Sequence, residues 1–297
     1  MEKMQLDIRV FLTMLCVVFF GFAAETSACT LFAATGVGHV VNDGTLMAKN
    51  RDETPMQQTL KLVKPDAGYS YYGIFAGKKA LFCVVGINER GLAVGMSTAG
   101  SISRQERLAN GVYRSKEGLR TNEYMLCYCA SVDEALALPD EFWHEPVNFI
   151  LADKDKIAYV EVLPGGGKSV TVKTSGVLYH TNHYVNEDSL WANKRIGASS
   201  LARYNRIAEL MSQEKVFSLN DFIQFSEDRN EGPNNSIYRV GTTASSTQTL
   251  ASFIVYIPKL GSPVLYIKYR QKPRDKGAEK LLYPVMVDDI FSGEKLS

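Results

Sequence analysis

Apolar residues in this chain come in short runs broken by turn residues, and that spacing predicts strands before helices. Residues 30–35, 45–48, 60–63, 80–87 and 92–96 are runs of this kind, each short enough for a strand. Residues 85–94 read as a hairpin, with a polar Asn88-Glu89-Arg90-Gly91 turn between two apolar arms. Residues 100–118 are polar, charged and irregular, which predicts a surface loop near the entrance of any site. Residues 121–138 then read as helix in two pieces. Ser131 followed by Glu134 has the capping-box spacing that restarts the second piece, and Pro139 ends it. Strands return at 148–152, 157–162, 169–173 and 177–180, with the glycine run 165–167 as a turn. Lys168 follows those glycines, but the flanking pattern is not that of a P-loop.

The clearest amphipathic helix is 197–212, with Leu201, Tyr204, Ala208 and Met211 as its apolar face. Ser218 with Asp221 predicts the start of another, in which Leu219, Phe222, Ile223 and Phe225 are apolar. Two long strands follow at 250–257 and 264–269, and a partly apolar tail beyond Lys272 is expected to cover the core. The order of strands and helices suits a layered α+β domain with mostly antiparallel sheets, not a regular βαβ alternation.

The start of the chain is different. Lys3 and Arg9 precede an almost unbroken apolar stretch, 10–24, and Thr26-Ser27-Ala28 supplies small residues after it. Residues 1–28 are therefore expected to be a signal peptide, leaving a single domain at 29–297 that is exported to the periplasm or secreted. The full chain has 33 basic and 32 acidic residues. Removing Lys3 and Arg9 together with Glu2, Asp7 and Glu25 leaves a net charge of +2. That balance points to neither a nucleic-acid partner nor an electrostatic membrane partner.

Cutting before Cys29 would place a thiol and a free α-amine on one residue, so nucleophile and base share neighbouring atoms. An N-terminal amine titrates near about 7.7–8.0 and a free thiol near about 8.5, so such a pair is poised close to neutral pH. The same small residues before a cysteine also suit a lipoprotein signal. There Cys29 would be a membrane anchor, although Thr26 stands where such signals usually carry an aliphatic residue. Cys16 leaves with the signal, and Cys83, Cys127 and Cys129 are read as buried and structural, with Cys127 and Cys129 in a helix.

Four more stretches carry candidate chemistry. Lys49-Asn50-Arg51-Asp52 closes a strand, and a buried Asp52 is suited to hold the amine of Cys29. Tyr179-His180-Thr181-Asn182-His183-Tyr184 closes another. Asn182 is suited to an oxyanion there, and His180 or His183 would be the base of a papain-like protease. Arg203 and Arg206 lie three apart on the 197–212 helix, and an inward arginine needs a carboxylate, for which Asp52 is the candidate. The hydroxyls of 241–246 either line a site or make a turn.

Taken in order, these residues resemble the cysteine N-terminal nucleophile (Ntn) hydrolases. The resembling elements are the N-terminal Cys-Thr, the Asn-x-Asp strand end, the Asn-Glu-Arg-Gly-Leu-Ala-Val hairpin, Thr-Asn-His, and a helix with Ser-Ser-x-x-Arg. That group includes penicillin V acylase, the bile salt (choloylglycine) hydrolases and isopenicillin N acyltransferase-like proteins. The resemblance implies a four-layer αββα sandwich. It implies Cys29 as nucleophile, Asp52 orienting its amine, Arg203 supporting both, and Asn182 at the oxyanion. Ser97, Thr98 and Thr181 would stand at the oxyanion and substrate. Bile salt hydrolases carry arginine three residues before the aspartate, where this chain has Lys49. The expected activity is hydrolysis of a linear non-peptide amide, on a small N-acyl amide, penicillin V-like or bile-salt-like. An acyltransferase using the same acyl-enzyme is the alternative. No cofactor or metal is implied, and no membrane partner unless Cys29 is lipidated. The sequence is equally compatible with a homo-oligomer.

Overall fold

The computed structural model describes residues 28–77, 81–270 and 279–293. Residues 1–27 of the expected leader, with Cys16, residue 80 at the start of one predicted strand, and the stretch just beyond Lys272 lie outside them, while Ala28 begins the first strand. In chain order the elements are β1 (Ala28–Thr35), β2 (Thr45–Glu53), β3 (Gln58–Val63), β4 (Tyr71–Ala76), β5 (Phe82–Asn88) and β6 (Ala93–Thr98). Then come α1 (Arg104–Ala109), α2 (Thr121–Tyr128), α3 (Val132–Leu136), β7 (Val147–Ala152), β8 (Ile157–Val162), β9 (Lys168–Lys173) and β10 (Gly176–His180). The last are α4 (Ala198–Met211), α5 (Leu219–Ser226), α6 (Gly232–Asn235), β11 (Gln248–Ile257), β12 (Val264–Arg270), β13 (Glu279–Met286) and α7 (Val287–Ser292).

The strands form two antiparallel sheets. One runs β10-β1-β2-β11-β12-β13, and the other is a meander from β3 to β9. Leu31, Ala33, Met47 and Phe253 of the first sheet pack on Ile74, Val85 and Ile150 of the second. Outside the second sheet, Met125, Leu126 and Val132 of α2 and α3 cover Val94 and Phe149. Outside the first, Ile207 of α4 and Phe222 of α5 cover Phe32 and Leu46. The result is the α+β, four-layer αββα sandwich. Because β1 and the first half of β2 are covered on both faces, they read as continuous apolar runs and not as alternation.

Three local expectations change. The strand β4 escapes the pattern because Gly73 interrupts it. A Cβ built there would sit 2.4 Å from the Val85 carbonyl, so only glycine lets β4 close on the bulge of β5. Residues 100–118 are not wholly irregular: α1 is capped reciprocally by Ser103 and Glu106, but it buries none of its residues and so has no stripe to read. The inward face of α4 is Ser200, Arg203, Ile207, Leu210 and Met211, while Leu201 is 45% exposed. In the tail, β13 extends the sheet edge, and Val287 and Ile290 of α7 join the core between the sheets. Among the described residues no helix is long and apolar enough to cross a membrane.

Candidate active site

Strand alternation sorts the candidate residues at the end of the β1–β2 ladder. Cys29 is opposite Arg51 and Leu31 opposite Lys49, on the face that looks at the second sheet. Ala28 is opposite Asp52 and Thr30 opposite Asn50, on the face that looks at the helices. Cys29 is buried and forms part of the wall of a cavity of about 250 Å³, together with Lys49, Arg51, Glu53, Ser97 and Thr98.

The strand β10 pairs with β1 only as far as Leu31 and His180. Beyond that point side chains take over the role of a neighbouring strand. The Cys29 N–H donates to Asn182 Oδ1 at 3.0 Å, and the Cys29 carbonyl accepts from Arg203 Nη1 at 2.6 Å. This nitrogen is a peptide amide in the uncut chain, and it occupies the place an α-amine would hold after cleavage before Cys29. Arg203 also donates to Thr30 Oγ1 and to Asn182 Oδ1, both at 3.0 Å. Asn182 Nδ2 donates to the Thr98 carbonyl at 2.9 Å and its backbone N–H to Ser200 Oγ at 3.1 Å. The amide of Asn182 is therefore clamped between Cys29, Arg203 and β6. It lies at the Cys29 nitrogen, an arrangement that needs Ser200 and Arg203 on the inward face of α4. That requirement rotates the helix away from its apolar stripe.

Asp52 accepts from Thr249 Oγ1 at 2.8 Å. Burial pushes its carboxyl up to about 6, opposed chiefly by the positive charges of Arg203 and Arg239. No ion pair joins Asp52 to Arg203 among the described residues, so the expected direct carboxylate partner is corrected. The guanidinium spends its donors on Cys29, Thr30, Asn182 and Ser199 and acts on Asp52 through space. Burial lowers the Arg203 guanidinium to about 10, which leaves it a cation at neutral pH. Lys49 reaches across to the second sheet, donating to the carbonyls of Val84 at 2.9 Å and Met96 at 2.5 Å. Burial lowers its pKa, with the nearby Cys29 as the largest opposing influence.

Ser97 and Thr98 line the cavity. Thr181 does not. Its hydroxyl donates to the Ser200 carbonyl at 3.0 Å and lies 3.3 Å from His183 Nδ1, while its carbonyl accepts from Ser97 Oγ at 2.7 Å. It braces the segment where the chain leaving β10 passes α4. His180 Nε2 lies 2.7 Å from Glu161 Oε1 in a buried pair, and His183 Nδ1 lies 2.9 Å from Ser200 Oγ. Burial lowers His183 to about 4, and neither ring is hydrogen-bonded to Cys29 among the described contacts. The hydroxyls of 241–246 form an exposed turn, with Thr243 and Ser246 bonded to each other. Cys83, Cys127 and Cys129 are buried and free; Cys127 lies in α2 and Cys129 caps its end. Burial raises all three thiols, Cys129 up to about 12.

Sequence reading missed Glu161, Arg239 and Thr249, and named Ser200 within Ser-Ser-x-x-Arg without giving it a role. Glu161 accepts from the backbone N–H of Val185 at 2.6 Å and of Asn186 at 3.2 Å, from Ser189 Oγ, and pairs with His180. One carboxylate of β8 thus ties down the segment that carries Asn182. A lone Glu between Val160 and Val162 in an otherwise apolar strand was the available signal. Among the described residues no cluster of His, Cys, Asp and Glu is placed to hold a metal.

A solved protein shares this arrangement of elements. The chain is similar over 90% of its length, and 94% of theirs, to two structures of conjugated bile acid hydrolase from Clostridium perfringens. Identity is 14% and 13%, with a TM-score of 0.53 for each. A Caenorhabditis elegans ortholog of N-acylethanolamine-hydrolyzing acid amidase is 12% identical, over 78% of this chain and 94% of that one, with a TM-score of 0.49. Comparison with curated protein sequences returns no match. At such identities the likeness to the bile acid hydrolase speaks for the fold. The sequence itself matches the family model of acyl-coenzyme A:6-aminopenicillanic acid acyl-transferase across residues 40–267. A match spanning most of the chain, on a sandwich of this kind, makes the protein a member of the acyl-coenzyme A:6-aminopenicillanic acid acyl-transferase family, within the Ntn hydrolases.

Proposed function

We propose that this protein is an exported amidase that cleaves a linear, non-peptide C–N amide through an acyl-enzyme on Cys29. The observation that carries the reading is the seat of Cys29. Its side chain is on the cavity face, and its nitrogen is held by Asn182 at 3.0 Å. Removal of the leader before Cys29 would turn that nitrogen into an amine. The amine takes the thiol proton as sulfur attacks the carbonyl. The tetrahedral intermediate then collapses, and the leaving nitrogen departs with the proton. Water attacks the thioester and releases the acid. Asp52, on the helix-side face, orients the amine. Asn182 and a backbone N–H near Ser97 or Thr98 stabilise the oxyanion, and Arg203 holds the Cys29 carbonyl and the Asn182 amide.

The test is a screen of N-acyl amides for amine release, with Cys29→Ala as the blank and mass spectrometry of the mature N-terminus. Release by the wild type alone, from a chain beginning with free Cys29, is the expected result. A diacylglyceryl mass on Cys29, or turnover by the uncut chain, would remove the N-terminal nucleophile. The family model gives a second reading, acyl transfer, since an acceptor amine or thiol could displace water at the same thioester. The ratio of transfer product to free acid at rising acceptor concentration decides between them.

A further inference from the structure

We propose that the cavity beside Cys29 takes an amide carrying a carboxylate within a few bonds of the scissile carbonyl, and that Arg51 is the residue that binds it. The inference rests on Cys29 as nucleophile and adds the substrate class. Arg51 is the direct cross-strand partner of Cys29 on the cavity face, so their Cβ atoms are about 4.5–5.5 Å apart. Its side chain is buried at 6% exposure and lines the cavity. Its hydrogen-bond partners are neutral: Gln58 Oε1 at 3.2 Å and Met56 Sδ at 3.0 Å. None of the ion pairs among the described residues includes Arg51 or Lys49.

The guanidinium is nevertheless held in place. Gln58 Nε2 donates to the Leu250 carbonyl at 2.5 Å and the Arg270 carbonyl at 3.2 Å, which turns its oxygen toward Arg51. Burial lowers the Arg51 pKa, opposed through space first by Cys29 and then by Glu53, which lines the same cavity but whose Oε1 accepts from the backbone and side chain of Thr54. Lys49 has already given two donors to backbone carbonyls of the second sheet. Arg51 is therefore a fixed, desolvated cation with no direct counter-ion, facing the space a substrate must enter. Such a charge is costly unless paired, and the planar fork of arginine matches a carboxylate.

The experiment uses the processed protein and three amides. N-hexanoylglycine carries its carboxylate on the leaving amine, glutaric acid mono-propylamide carries it on the acyl side, and N-hexanoylethanolamine is neutral. One of the carboxylated amides is expected to exceed the neutral one in kcat/KM by about 10- to 100-fold, the range of a hydrogen bond to a charged group. Which of the two exceeds it assigns the side. Arg51→Gln should collapse that ratio and Arg51→Lys should keep its direction. Equal kcat/KM for all three amides in the wild type would overturn the proposal. So would an Arg51→Gln that lowers all three alike, since the guanidinium would then act on the thiolate or oxyanion. Calorimetric binding of the same amides to Cys29→Ala reads the anion site without turnover. If nothing is hydrolysed, the amidase reading fails, while tenfold or greater preference for a carboxylated amide still supports the Arg51 site and its absence overturns it.

Discussion

The two faces of β2 are equally buried and do opposite things. On the inward face, Lys49 and Arg51 line a cavity and have only neutral hydrogen-bond partners. On the outward face, Asn50 and Asp52 are enclosed beneath the helix layer. Asn50 Nδ2 donates to the carbonyls of Ser226 at 2.7 Å and Ile237 at 2.9 Å, and Asp52 accepts from Thr249. One strand, by alternation, thus presents its charges to a space that can be filled from outside and its fixed polar groups to a packed layer. The inward face meets the thiol of Cys29; the outward face, with Arg203, meets its backbone. On the proposed function, chemistry and positioning are separated by a single residue of register.

The largest test of that division is on the inward face itself. Cys29→Ala should form no acyl-enzyme by mass spectrometry, and Cys29→Ser should be a poor enzyme, because a hydroxyl gives far less anion near neutral pH. Near-wild-type turnover by either would move the nucleophile elsewhere. Asn182 joins the two faces, and Asn182→Ala should lower kcat by about 10²–10³. KM should change little, because an oxyanion donor acts in the transition state more than in the ground state. A loss wholly in KM would make Asn182 a binding residue only.

Asp52 tests the outward face through pH. Its folded pKa, pushed up to about 6, is above the ordinary carboxyl value of 3.8, so the folded state holds the proton more tightly and ionisation costs stability. The cost should be absent below about pH 4, grow between about 4 and 6, and reach roughly 3 kcal/mol above that. In the uncut chain, Asp52→Asn should therefore raise the urea midpoint at pH 7 relative to pH 4. An unchanged pH dependence would mean that Asp52 is already neutralised by Arg203 and Arg239. The smallest effect is expected at Leu201. Its side chain is on the exposed face of α4, so Leu201→Ser should shift stability by no more than about 0.5 kcal/mol in denaturant unfolding. A larger loss would restore the apolar stripe as the buried face.

Much of this was legible in local pattern. The Ser131–Glu134 and Ser218–Asp221 caps, the hairpin at 85–94 and nearly all the strands depend on neighbours within a few residues, and the structure has them. Cys29, Ser97, Thr98, Asp52, Asn182 and Arg203 were singled out from sequence and do gather at one end of the sandwich. The Arg203–Asp52 ion pair is absent among the described residues, because it depended on which way a side chain turns, and Thr181 lies outside the cavity wall.

By itself the sequence determined the alternation of apolar runs and caps, hence the elements, the α+β class and the order in which candidate residues occur, since these follow from periods of 2 and 3.6 residues. The tertiary structure alone decided which of those residues meet. Asn182 reaches Cys29 across 153 positions and Arg203 across 174. These contacts exist because β10 stops short beside β1 and α4 turns a polar stripe inward to complete the backbone hydrogen bonds that the missing strand leaves open.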